Sequence, residues 1–136
     1  MYGVVDLGTN NCRLLIAIVK GNGFKVIDSY SRIVRLGEGF QKQKSISEEA
    51  IERTISSLKI CMEKMNRRGV TRMWNVATQA CREAENSSEF LKIVEDNTKI
   101  KLDIIDSSAS LAAALEMPAS AAIASINSDL FIIILY

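Results

Sequence analysis

The sequence predicts an α/β protein built on a mixed sheet, and three observations lead to that class. The first is a strand–turn–strand at the N-terminus, in which the apolar runs Tyr2–Asp6 and Asn11–Val19 flank Gly8-Thr9-Asn10. The second is an amphipathic helix: Ile51, Ile55, Leu58, Met62 and Met65 recur at alternating spacings of four and three residues, which puts them on one helical face. The third is a β-prone run, Val70–Thr78, directly after that helix. A helix between two strands is the crossover that parallel neighbours require.

Each element follows in order. Tyr2–Asp6 is an apolar strand that ends on a carboxylate. Gly8-Thr9-Asn10 then makes a tight turn. Gly8 lacks a Cβ, so backbone can approach an anion and adopt unusual dihedrals. Successive N–H groups in such a turn form an anion-binding concavity. Thr9 and Asn10 add side-chain donors, and Asp6 can hold a divalent cation or orient water. An ordinary β-hairpin turn is the other reading of the same residues. The second strand, Asn11–Val19, leads into Lys20-Gly21-Asn22-Gly23, a hairpin turn signal. A third strand runs from Phe24 to about Val34 and completes a meander.

Arg35–Lys44 is a Gly-rich, charged loop. It is either a plain surface connection or a basic rim in which Arg35 reaches an anion. Ser45 and Glu48 fit a capping box for the long helix, with Ser47 as an alternative cap. Cys61 lies beside the apolar face, Lys64, Arg67 and Arg68 suit the C-terminal dipole, and Gly69 supplies the stop. After Val70–Thr78 a short helix begins, with Thr78 as a candidate N-cap. Helices that start at strand ends are common anion sites, and Arg82 suits a bidentate phosphate contact. A solvated Arg82 paired with Glu83 or Glu85 is the alternative. A further helix runs from Ser87 or Ser88 to about Thr98, with Phe90, Leu91 and Val94 facing inward, and Lys101–Ile105 is a short fifth strand.

Composition narrows the chemistry. The 136 residues fit one domain or part of one, and 48% hydrophobic with 24% charged residues is ordinary for a globular chain. A net charge of +1 and no basic–aromatic pattern argue against nucleic acid. The absence of histidine removes Ser-His-Asp and Cys-His nucleophile pairs and His-ligated metals. Cys12, Cys61 and Cys81 are widely spaced and read as buried thiols in a reducing, cytoplasmic setting. Asp6 and Arg13 interrupt any N-terminal signal, and no apolar run is long enough for a membrane span.

Several separated segments then match one family. They are Val5-Asp6-Leu7-Gly8-Thr9-Asn10-Asn11, Arg32-Ile33-Val34-Arg35-Leu36-Gly37-Glu38-Gly39 and Ala77-Thr78-Gln79-Ala80-Cys81-Arg82-Glu83-Ala84, with Asn86, Glu89-Phe90-Leu91 and Leu102-Asp103-Ile104-Ile105. In order and spacing over residues 2–105 they resemble the N-terminal part of the exopolyphosphatase / guanosine pentaphosphate phosphohydrolase family. The resemblance implies the first domain of the actin-like ATPase and sugar-kinase superfold, with a five-stranded mixed sheet facing a second domain across a cleft. It implies magnesium-dependent hydrolysis of terminal phosphate from polyphosphate or guanosine pentaphosphate. Asp6 matches the metal-side residue of the first phosphate loop, Gly8, Thr9 and Asn10 match the loop itself, and Arg35 and Arg82 match arginines that meet the substrate anion.

The resemblance fails at one place. After the fifth strand the family carries a glutamate-rich helix start that supplies the general base, whereas this chain reads Asp106-Ser107-Ser108-Ala109-Ser110. Asp106 is a weak substitute, placed early and with a shorter reach, and Glu116 is a poorer one. Residues 107–136 form a divergent, Ala- and Ser-rich tail with the single proline, Pro118, ending on the apolar run Phe131–Leu135. The expectation is therefore one incomplete domain over residues 1–136, truncated before a second phosphate loop and inactive or nearly so by itself. The alternatives are a vestigial polyphosphate- or nucleotide-binding half-domain and a non-functional remnant. Self-association, or a complementing chain with the second domain, would be its partnerships.

Overall fold

A computed structural model of the chain describes residues 1–104 other than Asn22 and Thr78. Its strands are β1 (Tyr2–Leu7), β2 (Asn11–Lys20), β3 (Gly23–Ile33), β4 (Arg72–Ala77) and β5 (Asp103–Ile104). Its helices are α1 (Phe40–Gln43), α2 (Glu48–Arg68), α3 (Gln79–Glu83) and α4 (Ser87–Thr98). The strands form one five-stranded sheet in the order β3-β2-β1-β4-β5. β1, β2 and β3 pair antiparallel, while β4 lies parallel to β1 and β5 parallel to β4. The meander and the crossover through α2 are thus both present.

The sheet alternates as a pleat requires. Val5 and Leu7 of β1, and Cys12, Leu14 and Ile16 of β2, belong to the main core with Leu58, Cys61 and Met65 of α2 and Phe90 and Val94 of α4. Val4, Leu15 and Ala17 belong to a second, smaller cluster with Phe24 and Trp74. Both faces of the β2 centre are therefore buried, and Leu14–Ala17 form a continuous apolar run instead of an alternation. Tyr2 stacks on Trp74 with ring centroids 5.7 Å apart.

α2 differs from its expected form in two respects. Its cap is Ser47, whose Oγ accepts the Ala50 N–H at 3.2 Å. The Ser45–Glu48 box therefore does not form. The buried stripe is Ala50, Thr54, Ser57, Leu58, Cys61 and Met65, so it is rotated away from Ile55 and centred on smaller and polar residues. Thr54 can be buried because its hydroxyl donates to the Ala50 carbonyl at 2.8 Å, and Ser57 lies 3.4 Å from the Tyr30 hydroxyl. Glu48 and Glu49 open the helix, Arg67 and Arg68 close it, and Gly69 ends it in the left-handed region at φ 71°.

Two further differences, and one side-chain contact, are local. The segment expected to be wholly loop contains α1. β4 starts at Arg72, because Val70 and Thr71 turn back toward Met65 and Met1 through backbone hydrogen bonds of 3.0 Å each. Asn86, at the start of α4, does not cap it: its side chain accepts from the Ile46 N–H and donates to the Ile46 carbonyl, both at 2.9 Å. Thr78 as a cap for α3, Asp106, Glu116 and the 107–136 tail with Pro118 and Phe131–Leu135 lie outside the described residues.

Candidate functional site

The site begins where β1 runs out of sheet. The Gly8 N–H donates to the Asn11 carbonyl at 2.9 Å and closes a turn with Thr9 and Asn10 at its tip. Neither these two residues nor Gly8 has positive φ. Gly8 thus keeps an ordinary backbone.

The turn's carbonyls are held from one side. The Thr9 carbonyl accepts the Gly37 N–H at 3.0 Å, and the Asn10 carbonyl accepts those of Val34 at 2.8 Å and Arg35 at 3.1 Å. In a trans peptide unit the carbonyl and the following N–H point oppositely, so the Asn10 N–H faces away from this loop. Gly37 packs so tightly on the turn that a Cβ there would lie 2.5 Å from Thr9 Cγ2. Arg35, exposed, sits in the left-handed region at φ 49°.

The third wall is α3. Ala80 and Cys81 are buried, and Arg82 and Glu83 face outward, with Arg82 Nη2 4.0 Å from Glu83 Oε1. Gln79 Nε2 donates to the same Glu83 oxygen at 3.1 Å. In this arrangement Arg82 makes the solvated pairing with Glu83 that its sequence context allows.

Turn, loop and α3 enclose a cleft of about 280 Å³, lined by Thr9, by Gly37, Phe40 and Gln41, and by Gln79, Ala80 and Glu83. Among the expected site residues, Thr9 lines it. Gly8 and Asn10 flank Thr9 in the turn, and Arg82 precedes Glu83 on α3, while Arg35 lies two residues before Gly37 on the loop. The structure thus gathers the three segments that carry the motifs, and it adds Phe40, Gln41, Gln79 and Glu83. Gln79 and Glu83 stand four apart on a helix and so share a face, a signal the sequence carried. Phe40 and Gln41 sit in a stretch without periodicity and gave none.

Asp6 lies opposite Arg13 across the β1–β2 ladder and is half-buried. Burial pushes its carboxyl above the ordinary carboxylate range, and the Arg13 charge opposes that rise. Among the described residues no group of three or more His, Cys, Asp or Glu could hold a metal ion. A carboxylate such as that of Asp6 is of the class that magnesium takes, one or two at a time, beside waters and phosphate oxygens. The three cysteines are free and buried. Contact with Cys12 and burial push the Cys61 thiol up, and burial pushes Cys81 up to about 12, so both stay protonated. No helix among the described residues is long and apolar enough to cross a membrane.

Comparison with known proteins places these features. The model of the Ppx/GppA phosphatase family matches residues 15–114. A bifunctional 3-dehydroquinate synthase/phosphatase of Fusobacterium nucleatum is 39% identical over 108 residues, covering 74% of this chain and 16% of that protein. A solved Ppx/GppA phosphatase of Aquifex aeolicus superposes with a TM-score of 0.76 at 31% identity, over 88% of this chain and 41% of that one. An exopolyphosphatase of Cytophaga hutchinsonii superposes with a TM-score of 0.76 at 26% identity, over 82% of this chain and 36% of that one. The chain therefore spans well under half the length of these relatives.

Proposed function

Because the chain belongs to the Ppx/GppA phosphatase family, we propose that its cleft binds the terminal phosphate of polyphosphate or guanosine pentaphosphate, and that the chain alone hydrolyses neither. The observation that carries this reading is the convergence of the Gly8–Asn10 turn, the Arg35–Gly37 loop and α3 on one cleft. In this reading the Asn10 N–H and the Thr9 hydroxyl donate to a phosphate oxygen. Arg82 leaves Glu83 for the higher charge density of the anion, where a guanidinium can make two parallel bonds. Arg35 contributes charge from the rim.

Asp6 would hold a magnesium ion, which when bound would neutralise phosphate charge. A cation there also relieves the cost of an ionised carboxylate in a half-buried position. Hydrolysis needs a base within hydrogen-bond reach of the attacking water and clamps on the transferring phosphoryl group. The segment Asp106–Ser110 lacks the glutamates expected for that role. A binding half-site without turnover is the reading favoured by this substitution. Buried free thiols fit a reducing, cytoplasmic setting.

The test is titration calorimetry with inorganic tripolyphosphate and with guanosine pentaphosphate, each with magnesium, beside an assay of phosphate release. Binding that falls at least tenfold in Arg82→Ala, a scale typical of losing a charge-assisted phosphate contact, with no release, supports the proposal. Unchanged binding in Arg82→Ala, or phosphate release by the chain alone, refutes it.

A further inference from the structure

We propose that Arg53, on α2, is a positioning residue that holds Arg35 and the tip of the Gly8–Asn10 turn in register. This deepens the phosphate-binding reading above and rests on it for its functional consequence. Arg53 Nε donates to the Val34 carbonyl at 2.8 Å, and its Nη2 donates to the Arg35 carbonyl at 3.3 Å. The same Nη2 donates to Glu38 Oε2 at 2.8 Å. On the other side of this segment, the Val34 and Arg35 N–H groups both donate to the Asn10 carbonyl. The Val34–Arg35 segment is thus gripped from both sides, by a guanidinium through its carbonyls and by the turn through its amides.

The grip has work to do at Arg35. A non-glycine residue at φ 49° is in a disfavoured conformation that persists only when its surroundings impose it. One guanidinium meets two successive carbonyls and a carboxylate because its donors are splayed in a rigid plane. An ammonium is a single point and cannot span them. Glu38, in turn, fixes the guanidinium's rotation. The 21-residue helix α2, anchored in the core through Leu58, Cys61 and Met65, is the rigid body from which the contact is made. Arg53 therefore acts on the anion site through the backbone of Arg35 and Asn10, not by touching a ligand.

The experiment uses Arg53→Lys, which keeps helix propensity and charge, with Arg53→Ala, Arg35→Ala and the Arg53→Lys/Arg35→Ala double variant. Tripolyphosphate with magnesium is the probe. Arg53→Lys is expected to weaken binding about tenfold, the usual scale for an outer partner of a binding group. The double variant is expected to bind more weakly than Arg35→Ala, through the Asn10 turn that Arg53 also steadies, but by less than the two single losses combined. Additive losses in the double variant would overturn the proposal, because two independent effects add.

Amide hydrogen exchange in the absence of any ligand gives a separate readout. Arg53→Lys should speed exchange at the Val34 and Arg35 amides while leaving the centre of the β2–β3 pair unchanged. Unchanged exchange at those two amides, or acceleration spread evenly over the sheet, overturns the proposal. If the unaltered chain does not bind tripolyphosphate, the phosphate reading fails, and the exchange result still decides whether Arg53 holds Arg35.

Discussion

Gly37 and Thr9 meet at the tightest point of the site, where a Cβ on residue 37 would lie 2.5 Å from Thr9 Cγ2. Thr is β-branched and stiff at χ1, so the methyl cannot swing away freely. Gly37→Ala should destabilise the chain by about 1–3 kcal/mol, the usual cost of overpacking. Thr9→Ser removes the offending methyl and should recover most of that loss; denaturant melts of the single and double variants test it. Asp6 gives a pH-dependent prediction. Its folded-state pKa is raised above the ordinary 3.8, chiefly by burial. The folded state therefore holds the proton more tightly than the unfolded state. The associated stability is complete below the unfolded pKa and is lost as pH rises through the folded one. Asp6→Asn should melt higher than the parent at neutral pH, with the gap closing as the pH falls toward 3.8, while magnesium-dependent phosphate binding is lost. A melting difference that does not change with pH would show that ionisation of Asp6 carries no cost. The turn carrying Gly8, Thr9 and Asn10 was legible in the sequence because a strand–turn–strand is a local pattern. The reason for Gly37 was not, because the atom it must avoid belongs to the turn after β1, distant in the chain.

Among the elements, α2 shows how much of a boundary local chemistry sets. Gly69, Arg67 and Arg68 were readable, since each acts on a neighbouring backbone group. Two serines before Glu48 offered two possible caps, and only Ser47 reaches the Ala50 N–H. Ser47→Ala should cost about 1 kcal/mol, the typical value for losing a cap, and Ser45→Ala should be close to neutral. Equal losses in thermal melts would show that Ser47 is not the working cap. The buried stripe was displaced from the predicted one for a related reason. Hydropathy places Ile55 ahead of Thr54, yet Thr54 satisfies its hydroxyl on the preceding turn at Ala50 and enters the core. The four-residue helix α1 was missed because it buries none of its residues and carries no apolar period.

For the molecule as a whole, the order β3-β2-β1-β4-β5 brings the turn after β1 beside the helix after β4. Those strands are parallel neighbours, so their C-terminal ends lie at one edge of the sheet, where ligands of open α/β sheets bind. The chain covers 41% of its solved Aquifex aeolicus relative. We expect phosphate release from tripolyphosphate to be absent for this chain and to stay absent on mixing with a chain carrying the rest of such a relative, because Asp106–Ser110 lacks the glutamates expected to supply the base. Release that appears in the mixture would show that a base outside that segment suffices. By itself the sequence determined the fold class, the order of the strands with α2, α3 and α4, and the strand–turn–strand that opens the chain, because hydrophobic period, caps and turn chemistry act over a few residues. Only the tertiary structure decided which serine caps α2, that Gly37 rests on Thr9, that Arg53 grips Val34 and Arg35, and that Gln79 and Glu83 share a wall with Phe40. Those contacts join residues far apart in the chain, and their geometry exists only once the sheet has set the distance between them.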